Sequence, residues 1–416
     1  MSTPSSTRRP LTGLVLADVI STTGTEMTAV ALPWFVLVTT GSPARMGAVL
    51  AAEFAGLTVL GLLGGRAATW LGPRRLMLAA DVSRAALIGL IPLLAYLGGL
   101  SFALILTIAF VVGGFFPAYQ SSSRMIVATL VQDDELRLTR LGGLLNAVNE
   151  SASFLGPALG GVLVAVLGAG PVLLLDAASY VAAFALVAVL VRPGGLGPAE
   201  ADGDTSIRAG LRYLWHHRPL RTLIVGVAVM EVGFTAMLAT VPVLALHRGG
   251  ASVAGWLLAA YGAGSVLGGL ISSRARRTGG ATGSFAVLGL AAATWFLLVP
   301  VPVWGWGLAI GGIGVASGLF FPRFFAGVTA GTPPALRARV LTSVTILISS
   351  LGPVGFLGAG LFASHSTVAS RLLVAGSATL GALIVVAGQR MSTHDGGAPE
   401  GSRGPHLMTS DYAAAP

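Results

Sequence analysis

Twelve stretches of about twenty mostly apolar residues follow one another along this 416-residue chain, and nothing else in the sequence limits its fold so tightly. A run of that length crosses the hydrocarbon core of a bilayer as a helix. In lipid only helices and closed barrels satisfy their own backbone polar groups. The runs cover residues 11–38, 46–65, 76–97, 101–123, 141–167, 171–191, 220–246, 252–272, 285–303, 305–330, 340–363 and 368–388. Only a Pro/Trp/Gly hairpin at 300–305 divides the ninth from the tenth, so that boundary is soft. Charged residues make up 10% of the chain, against roughly 25% in a soluble domain. So few charges cannot clothe a water-facing surface, and a soluble enzyme is excluded. The expected fold class is an all-α membrane protein of twelve transmembrane helices, with no room for a folded soluble domain. Residues 1–10 carry no separate cleavable leader, so the first run is expected to stay as an anchor.

The basic residues set the orientation. All 25 are arginine and the net charge is +9, a balance that in a soluble chain would suggest nucleic acid. Here the arginines sit in short loops between apolar runs. With the N-terminus placed in the cytoplasm, 19 fall on the inner side and 3 on the outer, and Arg84, Arg124 and Arg323 lie within spans. That bias matches the positive-inside rule, so both termini are expected to be cytoplasmic and no nucleic acid is expected as a partner. The organisation read from this is a cytoplasmic N-terminus (1–10), a six-helix bundle (11–191), a cytoplasmic linker (192–218), a second bundle (219–390) and a disordered cytoplasmic tail (391–416). The linker opens rich in Gly, Pro and acids. It then turns basic, aromatic and amphipathic over 207–218, a pattern suited to the inner leaflet.

The halves echo each other. Gly47-Ala-Val-Leu-Ala-Ala-Glu53 recurs as Gly255-Trp-Leu-Leu-Ala-Ala-Tyr261, Phe115-Phe116-Pro117 as Phe320-Phe321-Pro322, and Leu155-Gly156-Pro157 as Leu351-Gly352-Pro353. Each match is weak alone. Three in the same order and in equivalent spans indicate a six-plus-six parallel repeat, the plan of a transporter that rocks about a midplane site.

With those motifs the chain resembles the major facilitator superfamily over all twelve spans. The loop Gly65-Arg-Ala-Ala-Thr-Trp-Leu-Gly-Pro-Arg-Arg75 is similar to that family's Gly-x-Leu-Ala-Asp-Arg-x-Gly-Arg-Lys/Arg signature. It departs at Thr69, which stands where the acid belongs, and at Trp70, which stands where the arginine belongs. Asp81 is then a substitute partner for the loop. Gly156-Pro-Ala-Leu-Gly-Gly161 is similar to an element of the superfamily's antiporters. The order Ala31-Leu-Pro-Trp34, Thr40-Gly-Ser42, Asp81-Val-Ser-Arg84 and Gly156-Pro157 looks most like the branch of macrolide-efflux proteins and siderophore exporters. The resemblance implies alternating access, conformational roles for Gly65, Arg66, Gly72, Arg74, Arg75, Gly156, Pro157 and Gly160, and residence in a bacterial plasma membrane.

Cysteine is absent and no phosphate loop occurs, so thiolate chemistry and ATP hydrolysis are excluded and no cofactor is expected. The six histidines lack metal-ligand spacing, and no metal site is expected. Energy must come from an ion gradient or from the substrate's own gradient. An ionisable group inside a span is costly unless it is paired or faces a cavity, which makes such groups the candidates. Asp18, Ser21, Thr22 and Thr25 share one face of the first span, with Glu26 beside them; the face is expected to line a cavity, and its carboxylates to bind protons. Asn146, Asn149 and Glu150 form a stripe on the fifth span running into a break expected at Gly156-Pro157. Glu231 lies mid-span in the seventh, positioned to face Glu26 across one cavity. Glu53 and Asp176 belong to the outer parts of spans two and six. Asp81, Arg84 and Arg124 are expected near inner span ends, in a cytoplasmic network with Asp133, Asp134 and Glu135. Arg323 is a mid-span cation suited to neutralising an acid. The whole suggests a monomeric proton-coupled antiporter exporting amphipathic small molecules from the bilayer. A proton-coupled importer of a nutrient, or a membrane sensor or enzyme, is the alternative.

Overall fold

The computed structural model describes residues 4–131, 135–191, 207–246, 248–274, 281–333 and 336–395. Among these the ordered elements are helices throughout. The first half holds α1 (Pro4–Thr40), α2 (Pro43–Leu71), α3 (Pro73–Tyr96), α4 (Phe102–Val131), α5 (Glu135–Leu167) and α6 (Ala169–Leu190). A short α7 (Ile207–His216) precedes the second half, which holds α8 (Arg218–Leu246), α9 (Ala251–Arg274), α10 (Ala281–Trp295), α11 (Val303–Ala330), α12 (Arg337–Ser349), α13 (Gly352–His365) and α14 (Thr367–Asp395). Nine segments among the described residues are long and apolar enough to cross a membrane. With α1, α5 and α10 the arrangement makes twelve crossings, so both chain ends lie on one face. That face is called the chain-end face below.

The repeat reappears as repeated packing. In the first half α1 lies against α5 and α6, α2 runs along α4, and α3 fits between α4 and α6. In the second, α8 lies against α13 and α14, and α9 runs along α11, which are the same pairings six crossings later. Small residues at these contacts let backbones approach, since helices gain no hydrophobic drive from one another in lipid. A methyl on Gly61 would meet Pro117 of α4, and one on Gly268 would meet the backbone of Val315 on α11.

The two halves touch along two seams, α2 with α13 and α5 with α9. The repeat-matched glycines stand at both. A Cβ on Gly47 would sit 3.0 Å from the Gly360 Cα, and one on Gly255 would sit 2.7 Å from the Gly161 Cα. Gly47 and Gly255 open their helices on the face away from the chain ends. There α13 packs along α2, whereas α12, the chain-end half of the same crossing, barely touches it. The α2 seam is thus shut on the opposite face and loose toward the chain-end face, and the α5 seam is closed on the opposite face at Gly161 and Gly255.

Two expectations need correcting. The break placed at Gly156-Pro157 does not occur: Pro157 lies inside a continuous α5. A proline within a membrane helix is tolerated where neighbours re-satisfy the backbone. The break falls instead at the matched motif, where α12 stops at Ser349, Ser350 and Leu351 intervene, and Pro353 occupies the first turn of α13. Proline suits that position because its missing N–H would be unpaired there anyway. The ninth span also ends differently, in a 3₁₀ turn, Phe296–Leu298, before α11 begins at Val303. The linker's expected amphipathic stretch is helical as α7, packed on α12. Its start at 192–206, and the tail from 396 onward, lie outside the described residues.

Candidate functional site

The chemistry-bearing side chains concentrate inside the first half. Asp18, Asp81 and Asp176 are 1%, 0% and 0% exposed, and Arg84 is 2% exposed. Arg84 Nη2 donates to Asp81 Oδ1 at 3.0 Å across one turn of α3. This is the ion pair found among the described residues. The guanidinium stacks over two rings, 4.4 Å from the centroid of Tyr180 on α6 and 4.6 Å from that of Tyr119 on α4. Cation–π attraction of this kind strengthens when the cation is desolvated. One arginine therefore ties α3, α4 and α6 together through a single buried charge.

Toward the opposite face, α1 and α6 are laced by hydroxyls. Thr28 Oγ1 donates to Asp176 Oδ2 at 2.6 Å, Ser179 Oγ donates to Asp176 Oδ1 at 3.2 Å, and Thr25 Oγ1 lies 2.9 Å from the Tyr180 hydroxyl. Gly24 makes the approach feasible, because a Cβ there would collide with Ser179 and Asp176. Glu53 on α2 lies within electrostatic reach of both Asp176 and Glu26. Glu26 is half-buried where α1 meets α5, its Cβ filling the space left by Gly156. Gly160 is likewise set on the Met27 backbone, so Gly156 and Gly160 act here as contact points between α1 and α5.

Toward the chain-end face the polar groups go unanswered. Both carboxylate oxygens of Asp18, Oδ2 of Asp81, Nε of Arg84 and the hydroxyls of Ser122 and Ser123 are buried without a hydrogen-bond partner. Arg84 and Arg124 are both within electrostatic reach of Asp18. Buried polar groups are nearly always paired, and each left unpaired costs about 1–3 kcal/mol. Several together on α1, α3 and α4 form a buried polar cluster with unused bonding capacity for protons or water.

Several sequence-derived positions move. The polar face of α1 was expected to line a cavity; its Thr25, with Thr28, turns into the first bundle, toward α6. Asp81 and Arg84 were expected near inner span ends in a cytoplasmic network; Asp81 lies nearer the chain-end start of α3 than its middle and Arg84 one turn further along, both fully buried, with the guanidinium against the tyrosine rings. Asp133 and Asp134 of that expected network lie outside the described residues, as do Gly65 and the side chains of Arg66, Glu135, Asn146, Asn149 and Glu150. Arg124 is exposed on α4 and Arg75 on α3. Arg74 caps α6, donating from Nε to the Val191 carbonyl at 2.5 Å and from Nη2 to that of Ala188 at 2.9 Å. Gly72 has φ +78°, which suits glycine at the turn between α2 and α3. Arg323 donates to the Leu319 carbonyl of its own helix at 2.7 Å rather than to an acid.

In the second half Glu231 is half-buried on α8 and borders a small cavity of about 30 Å³ with Phe234, Thr294, Ser317 and Phe321. Glu26 is not among the residues lining that cavity. Sequence reasoning missed Tyr119, Tyr180, Ser122 and Ser123; the available signal was a tyrosine at mid-depth in an otherwise apolar run.

The match that decides the family spans nearly the whole chain: residues 8–406 fit the model described as transmembrane secretion effector. The chain belongs to that family. This transmembrane secretion effector, of the major facilitator superfamily as its motifs suggested, is a multi-pass membrane transporter. Among curated proteins it is 28% identical over 367 residues to the multidrug efflux pump Tap of Mycolicibacterium fortuitum, covering 85% of this chain and 89% of that one. It is 26% identical over 372 residues to Tap of Mycobacterium tuberculosis, covering 85% and 87%. Among solved structures it superposes on the nucleoside transporter NupG with TM-score 0.73 at 12% identity, covering 92% of this chain and 99% of that one. A bacterial homologue of the human lysosomal transporter Spinster, inward-facing and unoccupied, gives 0.70 at 14%, covering 94% and 96%. The chain thus shares its fold with these transporters.

Proposed function

We propose that this protein exports amphipathic organic molecules, drugs or secondary metabolites, in exchange for protons entering the cell. The efflux reading is supported by its likeness to proteins named multidrug efflux pumps. The arginine bias supports a plasma-membrane placement with both chain ends in the cytoplasm. The six-helix halves are taken as the moving units and the monomer as the working form.

The observation that carries proton coupling is Asp18, a fully buried carboxylate with neither oxygen hydrogen-bonded. A buried carboxylate is costly unless it is paired, protonated or beside water. With neither oxygen bonded to protein, Asp18 is free to take part in proton exchange when water reaches the cluster. With the α2 seam loose toward the chain-end face, Asp18 lies nearer the cytoplasm than Glu26, Glu53 and Asp176. Glu150 and Glu231 stand as further acids for proton or substrate binding, with Asn146 and Asn149 beside the former. The cargo would compete with the proton for one conformational cycle. Inward proton flow supplies about 2.3 kcal/mol per charge per 100 mV.

Inside-out vesicles with an acid interior and a pH-sensitive dye test this. Adding macrolides, lipophilic cations, phenicols or siderophores should trigger proton release from vesicles carrying the protein, and Asp18→Asn should abolish it. Release that persists undiminished in folded Asp18→Asn would remove Asp18 as carrier. Silence toward the whole panel would count against drug/proton exchange.

A further inference from the structure

The linker helix α7 is the most amphipathic short helix of the chain, and only one of its faces is used in packing. Gly210 presses on the Arg339 backbone and Ser343 of α12, Leu214 is buried, and the Tyr213 hydroxyl donates to the Gly331 carbonyl at 3.0 Å. The stripe formed by Leu211 and Trp215, one turn apart, points elsewhere. Trp215 is 71% exposed and Leu211 37%. They face a groove of about 630 Å³ whose other walls are Ile224, Val225 and Ala228 of α8, Leu347 of α12 and Leu351 just beyond its end.

The walls of this groove are apolar, and its rim on the chain-end side is cationic. Arg212 and Arg221 border it, with His216 between them. Arg221 is held in place, donating from Nη1 to the Trp215 carbonyl at 3.2 Å, with its guanidinium 5.5 Å from the Trp215 ring. A guanidinium has five N–H donors, so this one keeps others for a ligand. An apolar slot with a tryptophan at its mouth and arginines at membrane-surface depth is the complement of a lipid: acyl chain within, phosphate at the rim.

We infer that the groove between α7, α8 and α12 is a binding site for one anionic glycerophospholipid of the surrounding bilayer. Its acyl chain lies along Trp215, Val225 and Leu347, and its phosphate is held by Arg212 and Arg221. The choice of lipid over transported cargo follows from charge: two arginines favour an anionic headgroup and repel the cationic amphipaths a drug exporter meets. Occupancy would fill the gap beside α12 on the side where the α2 seam is loose, and so link lipid charge to the setting of that face. The site is independent of what the protein exports.

Native mass spectrometry of the full-length protein, exchanged into detergent with palmitoyl-oleoyl phosphatidylglycerol or the phosphatidylcholine of the same chains, tests the assignment. One phosphatidylglycerol should remain bound under activation that strips phosphatidylcholine. Arg212→Gln with Arg221→Gln should weaken phosphatidylglycerol about thirtyfold, at roughly one kcal/mol per surface arginine. Val225→Trp, which fills the groove and leaves both arginines, should lose the lipid as well. If one variant does not fold as a monodisperse species, the other decides. Equal retention of the two lipids overturns the proposal. So does unchanged phosphatidylglycerol in a folded variant, or its displacement by an exported compound.

Discussion

Gly161→Val is a test of how the opposite face closes. A Cβ at that position would lie 2.7 Å from the Gly255 Cα, 2.8 Å from the Ala251 carbonyl oxygen and 3.0 Å from the Gly255 nitrogen. All three are backbone atoms, which cannot rotate away as a flexible side chain could. Overpacking of this sort costs about 1–3 kcal/mol, and the cost falls only on the state in which α5 and α9 touch. At tenfold per roughly 1.4 kcal/mol, the ratio of open to shut on that face should rise about 5- to 150-fold. The chain contains no cysteine, so a single introduced thiol reports without background. Ala44→Cys is the reporter, because the Ala44 Cα lies against Gly360 in the other seam, between α2 and α13. Labelling by a membrane-impermeant maleimide should accelerate by the same factor when Gly161→Val is added. The reciprocal pair, Gly47→Val read by Ala251→Cys, should behave alike. Gly289→Val, at a position with open space around it, should change neither rate. Unchanged labelling in folded Gly161→Val protein, or an equal rise with Gly289→Val, would refute the seam as the closing contact.

Other consequences follow from the first-half cluster, from the Glu231 cavity and from the linker helix. Arg84→Met leaves Asp81 buried without its cation and should cost about 3–5 kcal/mol, read as a fall in unfolding temperature in detergent; adding Asp81→Asn should recover most of it. Tyr180→Phe removes the hydroxyl facing Thr25 and should cost about 1 kcal/mol by the same assay. Glu231→Gln keeps the shape of its cavity, so the expected result is normal folding with lost or reduced substrate-driven proton release in acid-loaded vesicles. Gly210→Leu should lift α7 from α12, measured as faster proteolysis near residue 210 with the rest of the chain intact.

What was readable in the sequence was mostly what depends on short-range pattern. The twelve runs, the arginine bias and the amphipathic 207–218 segment each follow from the chemistry of a few neighbouring residues. The Gly47/Gly255 match was legible too, although nothing along the chain said that each glycine would face a glycine of the other half. The buried cluster was only half legible. Asp18, Asp81 and Arg84 stood out as charges in apolar runs, but their environment depends on Tyr119 and Tyr180, which come from other helices and look like ordinary core residues. Helical spacing showed that Asp18, Ser21 and Thr25 share a face. It could not show which neighbour the face meets, because that is set by how α1 rotates against α6 around Gly24. The proline misreading has the same root. Gly156-Pro157 and Gly352-Pro353 are alike as text, and only packing decides that α5 runs through its proline while the later helix begins at its own.

That difference gives the two arms of the molecule unlike mechanics. An unbroken helix such as α5 carries a tilt from one membrane surface to the other, so movement at one end is movement at both. The crossing made of α12 and α13 is jointed at Ser350 and Leu351, and a joint lets one end swing while the other stays clamped. With α13 gripping α2 and α12 free of it, the chain-end portion can flex without loosening the clamp. A carrier built this way resists leaking: the near door can rattle on its hinge while the far door stays bolted.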